Sequence, residues 1–224
     1  SSFTDDFETD RGWTTGSSYQ FSPRVLWHRV INSSSIKDTL APAYITLPDY
    51  DTNIGSIPQA HGGSYSYWFG DDINGSYIGE QQTTPADTLL SGGFSSSRFQ
   101  GDLTTPKISL NGYAYASLSF WTWWEIESMH GSTGYDVMTV RISKDGGSTW
   151  VDLGNLTPIY DPLGKAPNYP YSSGGFNKAG AWVKHQFDLT PYAGEDVLIR
   201  FSFDTKDNKF NGFRGWFIDD VSIQ

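Results

Sequence analysis

Residues 118–126 read Leu-Ser-Phe-Trp-Thr-Trp-Trp-Glu-Ile, and their pattern is the clearest indication of the fold class. Read with a period of two, one series of side chains is largely apolar: Leu118, Phe120, Thr122, Trp124 and Ile126. The other series mixes indole rings with carboxylates: Ser119, Trp121, Trp123, Glu125 and Glu127. Such alternation is typical of a β-strand with one face on a core. The second series is unusual for a face that contacts only water.

The rest of the chain shows the same preference for strands. Eight segments alternate or are rich in aromatic and β-branched residues. These strand candidates are Val25–Ile31, Ser64–Phe69, Ala114–Ile126, Tyr135–Ser143, Thr149–Leu153, Trp182–Leu189, Asp196–Asp204 and Trp216–Ile223. No segment of ten or more residues has clean helical periodicity with caps, and 24 Gly and 11 Pro supply many turns. The sequence predicts an all-β protein in a single domain, residues 1–224.

The net charge and the amino-acid composition exclude some classes of binding partner and favour others. The 224 residues include 15 Lys and Arg against 25 Asp and Glu, a net charge of −10. An acidic surface repels phosphate backbones and anionic lipid, which argues against a nucleic-acid binder and against membrane insertion. It suits hard cations such as Ca²⁺. Without cysteine, disulfides, zinc fingers and Cys nucleophiles are excluded, and the composition favours a secreted, extracellular or cell-surface module.

The strongest local motif is Ser-Lys-Asp-Gly-Gly-Ser-Thr-Trp over residues 143–150, which has the form of an Asp-box. Asp145 can accept hydrogen bonds from turn amides, the glycines allow positive φ, and Trp150 can pack over the hairpin. Sialidase propellers repeat this box, but here it occurs once in a chain too short for six blades. We therefore interpret it as a structural hairpin.

Carboxylates also stand inside hydrophobic strand sequence at both ends of the chain. Residues 3–8 read Phe-Thr-Asp-Asp-Phe-Glu, and residues 215–223 read Gly-Trp-Phe-Ile-Asp-Asp-Val-Ser-Ile. An unpaired carboxylate in such a place costs several kcal/mol, so each must be exposed, paired or bound to a cation. If the chain ends are adjacent, these acids can converge with Glu125, Glu127 and Asp136 on one hard-cation site. The alternative is a set of solvated carboxylates at strand edges.

An ordered set of motifs runs along most of the chain. In order they are Asp5-Asp-Phe-Glu8 with Gly12-Trp13, Leu103-Thr-Thr-Pro106-Lys-Ile-Ser-Leu110, Leu118-Ser-Phe120 with Trp124-Glu-Ile-Glu127, Asp136 leading into the hairpin 140–150, Phe187-Asp-Leu-Thr-Pro-Tyr-Ala-Gly194, Val197-Leu-Ile-Arg-Phe201 and Gly215-Trp-Phe-Ile-Asp-Asp-Val221. The set resembles the MAM-like jelly-roll modules of secreted prokaryotic proteins. It is similar to the non-catalytic module of immune inhibitor A metallopeptidases.

The resemblance implies a two-sheet antiparallel β-sandwich of the jelly-roll class with structural Ca²⁺. Its architecture is like that of galactose-binding-like carbohydrate-binding modules, and it implies an accessory domain beside the catalytic domain of a larger secreted hydrolase. The cation ligands that it implies are Glu8, Glu127, Asp136, Asp219 and Asp220. MAM domains carry cysteines and this chain has none, so the match is to the Cys-free prokaryotic relatives.

Recognition of a polysaccharide is the function that we predict. Sugar rings pack their C–H faces on aromatic rings, while their hydroxyls need carboxylate and amide partners. The candidate platforms are Trp68, Trp121, Trp123, Tyr160, Tyr169 and Tyr171, whereas we expect Trp13, Trp150 and Trp216 to pack in the core.

Two alternatives stay open beside glycan recognition. The first is a protein-binding or folding accessory domain of a secreted protease. The second is a glycan-active hydrolase that uses Glu125 and Glu127, which lie two apart on one strand face, about 6–7 Å apart at the backbone. The sequence has no Gly-x-Ser-x-Gly, His-Glu-x-x-His, phosphate-loop or dinucleotide motif. We therefore predict no enzymatic activity.

Overall fold

A computed structural model describes residues 3–31, 36, 57–78, 95–127, 134–158, 170–176 and 178–224. Within these ranges the chain forms fourteen β-strands, numbered β1 to β14 in order, and one 3-10 turn, Thr190–Tyr192. The strands are Phe3–Asp5, Thr14–Gly16, Trp27–Ile31, Tyr65–Phe69, Gln100–Thr104, Ile108–Ser109, Ser117–Glu127, Val137–Ser143, Val151–Asn155, Pro170–Ser172, Gly175–Phe176, Val183–Asp188, Asp196–Asp204 and Gly215–Ile223.

The strands form two antiparallel sheets. The larger sheet has eight strands in the order β11-β10-β7-β14-β4-β3, with β1 also on β14 and β12 also on β7. The smaller sheet has six strands in the order β2-β5-β13-β8-β9, with β6 also on β13. The predicted all-β, two-sheet β-sandwich is confirmed. The expected adjacency of the chain ends is also confirmed, because Phe3 on β1 pairs with Ile223 on β14.

The main core lies between the sheets and follows the alternation of β7. Leu118, Phe120, Trp124 and Ile126 all belong to it, as the period of two predicts. Trp13 and Trp216 also pack in the core, as expected. Trp150 does not: it is half-buried beneath the Arg200 guanidinium, whose carbon lies 3.9 Å from the ring centroid. Its place is on the hairpin rather than between the sheets.

The Asp145 hairpin has the geometry that its motif predicts. The Asp145 carboxylate accepts hydrogen bonds from the Thr149 amide at 2.8 Å and from the Thr149 hydroxyl at 2.5 Å. These donors, together with the Ser143 hydroxyl, lower the pKa of Asp145 to about 2. Gly146 and Gly147 have φ of +72° and +94°, a region that favours glycine. The motif therefore closes the turn between β8 and β9.

A second apolar cluster covers the outer face of the larger sheet. It contains Val30, Trp68, Trp123 and Phe217 from four strands and Ile57 from the segment before β4, with Ile36 and Trp182 packed against it. This face of β7 is thus partly closed to solvent, which determines where a ligand could reach the indole rings.

Candidate functional site

Trp121 lies on the outer face of the larger sheet and remains half-buried. In the strand register it sits between Asp219 on β14 and Lys184 on β12. The His61 ring stacks on it with centroids 4.0 Å apart and planes inclined by 14°. Trp182 meets His61 edge-on at 5.9 Å. We call Trp121, His61, Trp182 and Asp220 the Trp121 patch.

Polar contacts hold the rings of this patch in place. His61 Nδ1 lies 2.6 Å from Asp220 Oδ2, and Trp182 Nε1 donates to the Gln59 carbonyl at 2.8 Å. The side chains of His61 and Asp220 are 29% and 31% exposed. The patch therefore combines fixed aromatic rings with a carboxylate that solvent can reach.

Two of the predicted calcium ligands accept hydrogen bonds from backbone amides in the segment before β4 and at its first residue. Glu8 Oε1 accepts the amides of Ser64 and Tyr65, both at 2.9 Å. Asp219 Oδ2 accepts the Gly62 amide at 3.1 Å, although burial raises the pKa of Asp219 to about 7. These acids and Asp220 thus clamp residues 61–65 onto the sheet.

The other two predicted ligands, Glu127 and Asp136, are buried at 2% and 0% exposure. Tyr77 donates its hydroxyl to Asp136 Oδ2 at 2.5 Å. Glu127 Oε2 and Asp136 Oδ1 are buried with no hydrogen-bond partner among the described residues. Desolvation, reinforced by the charge of Asp136, raises the pKa of Glu127 to about 11, and burial raises that of Asp136 well above its ordinary value. We call Glu127, Asp136 and Tyr77 the acidic chamber.

Among the described residues the five predicted carboxylates are therefore not gathered around one point, and the binding of Ca²⁺ stays a prediction. Within the described ranges, no three His, Asp or Glu side chains come together as metal ligands. The physical reason is that backbone amides near β4 and the imidazole of His61 already supply positive partners to Glu8, Asp219 and Asp220. Only the acidic chamber keeps buried carboxylate oxygens without partners in the described part of the chain.

Glu125, one of the two carboxylates of the hydrolase alternative, is locked in an ion pair. Arg214 donates to Glu125 Oε2 through Nη2 at 2.6 Å and Nε at 3.1 Å, and its backbone amide donates to Oε1 at 3.1 Å. Both side chains are buried, at 0% and 2% exposure. Glu127 is buried as well, so Glu125 and Glu127 do not line an open cleft. This burial weighs against catalysis by these two carboxylates.

The structure separates the predicted aromatic platforms. Trp68 and Trp123 are 0% and 4% exposed within the second cluster, so neither ring is open to a ligand, contrary to the prediction. The backbone of Gly180 packs directly on the Trp123 indole, so closely that a Cβ added to Gly180 would lie 2.2 Å from the ring. Tyr171 is half-buried against Phe176, with ring centroids 4.6 Å apart. Tyr160 and Tyr169 lie outside the described residues.

Sequence reasoning missed His61 and Trp182. Extending the alternation of β12 by one residue places Trp182 on the same face as Lys184, so that signal was present. No motif marked His61, because its role depends on a contact with a strand sixty residues away in the chain.

The described residues contain no helix that is long and apolar enough to cross a bilayer. No protein-family model and no curated protein matches the chain. The resemblance to MAM-like modules and immune inhibitor A consequently stays a prediction.

Solved structures do resemble this one. The K1 cleaved adhesin domain of Lys-gingipain from Porphyromonas gingivalis W83 is 16% identical, covers 100% of this chain and 98% of its own, and has a TM-score of 0.53. The K2 domain of Lys-gingipain is 14% identical, with coverages of 100% and 97% and a TM-score of 0.49. A Caldicellulosiruptor saccharolyticus module, CBM27-1, solved with mannohexaose, is 15% identical, with coverages of 93% and 88% and a TM-score of 0.39. At such identity the K1 likeness establishes a common fold.

Proposed function

We propose that this chain is a non-catalytic, extracellular module that binds polysaccharide through the Trp121 patch. The observation that carries the proposal is the ordered stack of His61 on Trp121 beside the solvent-accessible Asp220 carboxylate. Aromatic rings accept the C–H faces of sugars, and a neighbouring carboxylate accepts their hydroxyl hydrogens. Attachment to a larger secreted hydrolase is part of the same proposal and follows from the motif resemblance.

The patch is suited to binding because its parts are already fixed. His61 is held by Asp220, and Trp182 is held by the Gln59 carbonyl. Little side-chain entropy is then lost when a ligand binds, which favours measurable affinity from a small surface. Individual sites of this size bind weakly, so a parent protein would gain from avidity.

Affinity electrophoresis through gels containing a panel of soluble neutral polysaccharides tests the proposal. We expect at least one polysaccharide to retard the wild type, and Trp121→Ala to weaken that retardation tenfold or more. Trp182→Ala should weaken it as well, with circular dichroism confirming the fold of each variant. Tyr115→Ala is the matched control, because Tyr115 is an exposed aromatic residue, 80% accessible, outside the patch. Retardation that is unchanged in both tryptophan variants would refute the assignment.

The two alternatives predict different results from the same material. A protease accessory domain would leave every polysaccharide gel without effect and would change the folding or activity of the parent protease. A hydrolase would degrade the retained polysaccharide and lose that activity in Glu125→Gln and Glu127→Gln. The buried Glu125–Arg214 pair favours the binding function over this second alternative.

We further propose that the acidic chamber holds a structural Ca²⁺. The Glu127 and Asp136 carboxylates are both buried, and Glu127 Oε2 and Asp136 Oδ1 have no hydrogen-bond partner among the described residues. The two carboxylates would repel each other if both were ionised. An oxygen-only donor set favours Ca²⁺ over zinc or copper. Carbonyl oxygens or water would complete the shell, since Ca²⁺ takes about 6–8 oxygen ligands. In this proposal the ion stabilises the fold and takes no part in sugar binding.

A further inference from the structure

A second exposed aromatic group lies on the loop between β2 and β3. Phe21 is 69% exposed, although a phenyl ring normally contributes to stability by burial. Its ring contacts Tyr19 edge-on, with centroids 5.8 Å apart. The loop therefore presents a large apolar ring to solvent beside a half-buried one.

This exposure does not come from a loosely attached loop. The buried Gln100 side chain accepts hydrogen bonds through Oε1 from the Ser17 hydroxyl at 2.6 Å and the Ser18 amide at 2.7 Å. The Ser18 hydroxyl donates to the buried Asp102 at 2.5 Å. The backbone amide of Gln100 in turn donates to the Ser22 hydroxyl at 3.0 Å. The loop is fixed to β5 on both sides of Tyr19 and Phe21, so the rings are preorganised.

Cationic groups extend the aromatic pair. The Arg98 guanidinium carbon lies 4.1 Å from the Tyr19 ring centroid. Arg98 Nε and Nη2 donate to the two carboxylate oxygens of Asp204 at 2.8 and 2.5 Å, and Lys206 Nζ lies 3.2 Å from the same carboxylate. The Arg98 and Lys206 side chains are 29% and 46% exposed. Two cations thus share one carboxylate on a protein whose net charge is −10.

We propose that Tyr19, Phe21, Arg98 and Lys206 form a second glycan-binding strip, which takes a sugar residue that carries a carboxylate. The exposed Phe21 ring receives the apolar face of the sugar, and the positive charge not neutralised by Asp204 receives the sugar carboxylate. The inference rests on the proposed glycan-binding function, but it uses different residues, on the loop and in the segments just before β5 and just after β13 rather than on β7.

Affinity electrophoresis with three polymers tests the strip. Polygalacturonate carries both sugar rings and carboxylates, its fully methyl-esterified form carries the rings without the charge, and poly-L-glutamate carries the charge without the rings. We expect polygalacturonate to retard the wild type at least tenfold more strongly than either of the other two polymers. Equal retardation by the esterified polymer would overturn the acidic specificity, and equal retardation by poly-L-glutamate would overturn the sugar assignment.

Variants locate the binding and separate the two proposals. Phe21→Ala should weaken the retardation by polygalacturonate at least fivefold and Lys206→Gln about threefold, a factor typical of one exposed charge contact. Tyr115→Ala and Lys144→Gln, which remove an exposed ring and an exposed charge elsewhere, should have no effect. Trp121→Ala should still bind polygalacturonate through the strip. Wild-type binding in Phe21→Ala, or no binding by the wild type, refutes the strip and leaves the Trp121 patch to be judged by its own gels.

Discussion

Replacing Glu127 by Gln should stabilise the protein in the absence of calcium, and this advantage over the wild type should shrink or vanish when calcium is bound. The substitution keeps the shape of the side chain and removes its charge. In metal-free protein at pH 7, Glu127 must take up a proton on folding, because burial raises its pKa above neutrality from the ordinary 4.5. Between the ordinary pKa of 4.5 and pH 7, the uptake of this proton costs about 3 kcal/mol of folding free energy.

Glutamine does not need that proton, so Glu127→Gln should stabilise the metal-free protein by up to about 3 kcal/mol. For a chain of this length, a change of about 3 kcal/mol raises Tm by about 6–12 °C. With Ca²⁺ at about a hundred times its Kd, the wild type gains about 2.7 kcal/mol, a gain that the variant largely loses with its ligand. The difference in Tm between variant and wild type should therefore be positive in EDTA and smaller or negative in Ca²⁺.

Differential scanning calorimetry at pH 7, in EDTA and then in excess Ca²⁺, measures both differences. Asp152→Asn is the matched control: Asp152 is a carboxylate 66% exposed in a surface pair with Arg141, and its loss should matter little in either condition. A wild-type Tm that is the same in EDTA and in Ca²⁺ would refute the calcium proposal. A Glu127→Gln variant that is less stable than the wild type in EDTA would refute the argument from desolvation.

Backbone crowding, the buried ion pair and pH each give a further test. Gly63→Ala puts a Cβ 2.3 Å from Glu8 Oε1 at φ +59°, so we expect the free energy of unfolding to fall by about 2 kcal/mol or more in thermal unfolding. The control Gly12→Ala, at φ +88° with nothing within 4 Å, should lower it by about 1 kcal/mol. Equal losses in the two variants would contradict the close approach at Gly63. Arg214→Met leaves a buried carboxylate without its guanidinium and should cost about 3–5 kcal/mol in chemical denaturation. The double variant with Glu125→Gln should cost less, and simple additivity would argue against coupling. In EDTA, the free energy of unfolding should fall as pH rises from 5 to 9, by at most about 1.4 kcal/mol per pH unit for each carboxyl, because a raised pKa keeps Glu127 protonated only in the folded state. Calcium should flatten this pH profile. A profile that is already flat in EDTA would count against the raised pKa of Glu127.

Local alternation was enough to predict much of the fold from the sequence. The period of two in β7 identified which side chains face the core, since neighbouring residues in a strand point to opposite faces. The Asp145 hairpin was equally predictable, because its donors and acceptors lie within seven residues of one another. The very short strands were not: none of the eight predicted strand segments includes β10 or β11, since two or three residues cannot display a period.

The candidate sites depended on contacts that the sequence does not contain. From the sequence alone it could be predicted that Trp68, Trp121 and Trp123 occupy strands and that acidic residues stand within strand sequence near both ends of the chain. Tertiary structure decided that Ile57 and Arg214 pack over the outer face, so that Trp68 and Trp123 are buried and Trp121 is not. It also decided that Glu8, Asp219 and Asp220 receive donors from residues 61–65, while Glu127 and Asp136 keep oxygens without partners among the described residues. The physical reason is that alternation depends on neighbours along one strand, whereas desolvation and hydrogen-bond partners come from segments distant in the chain.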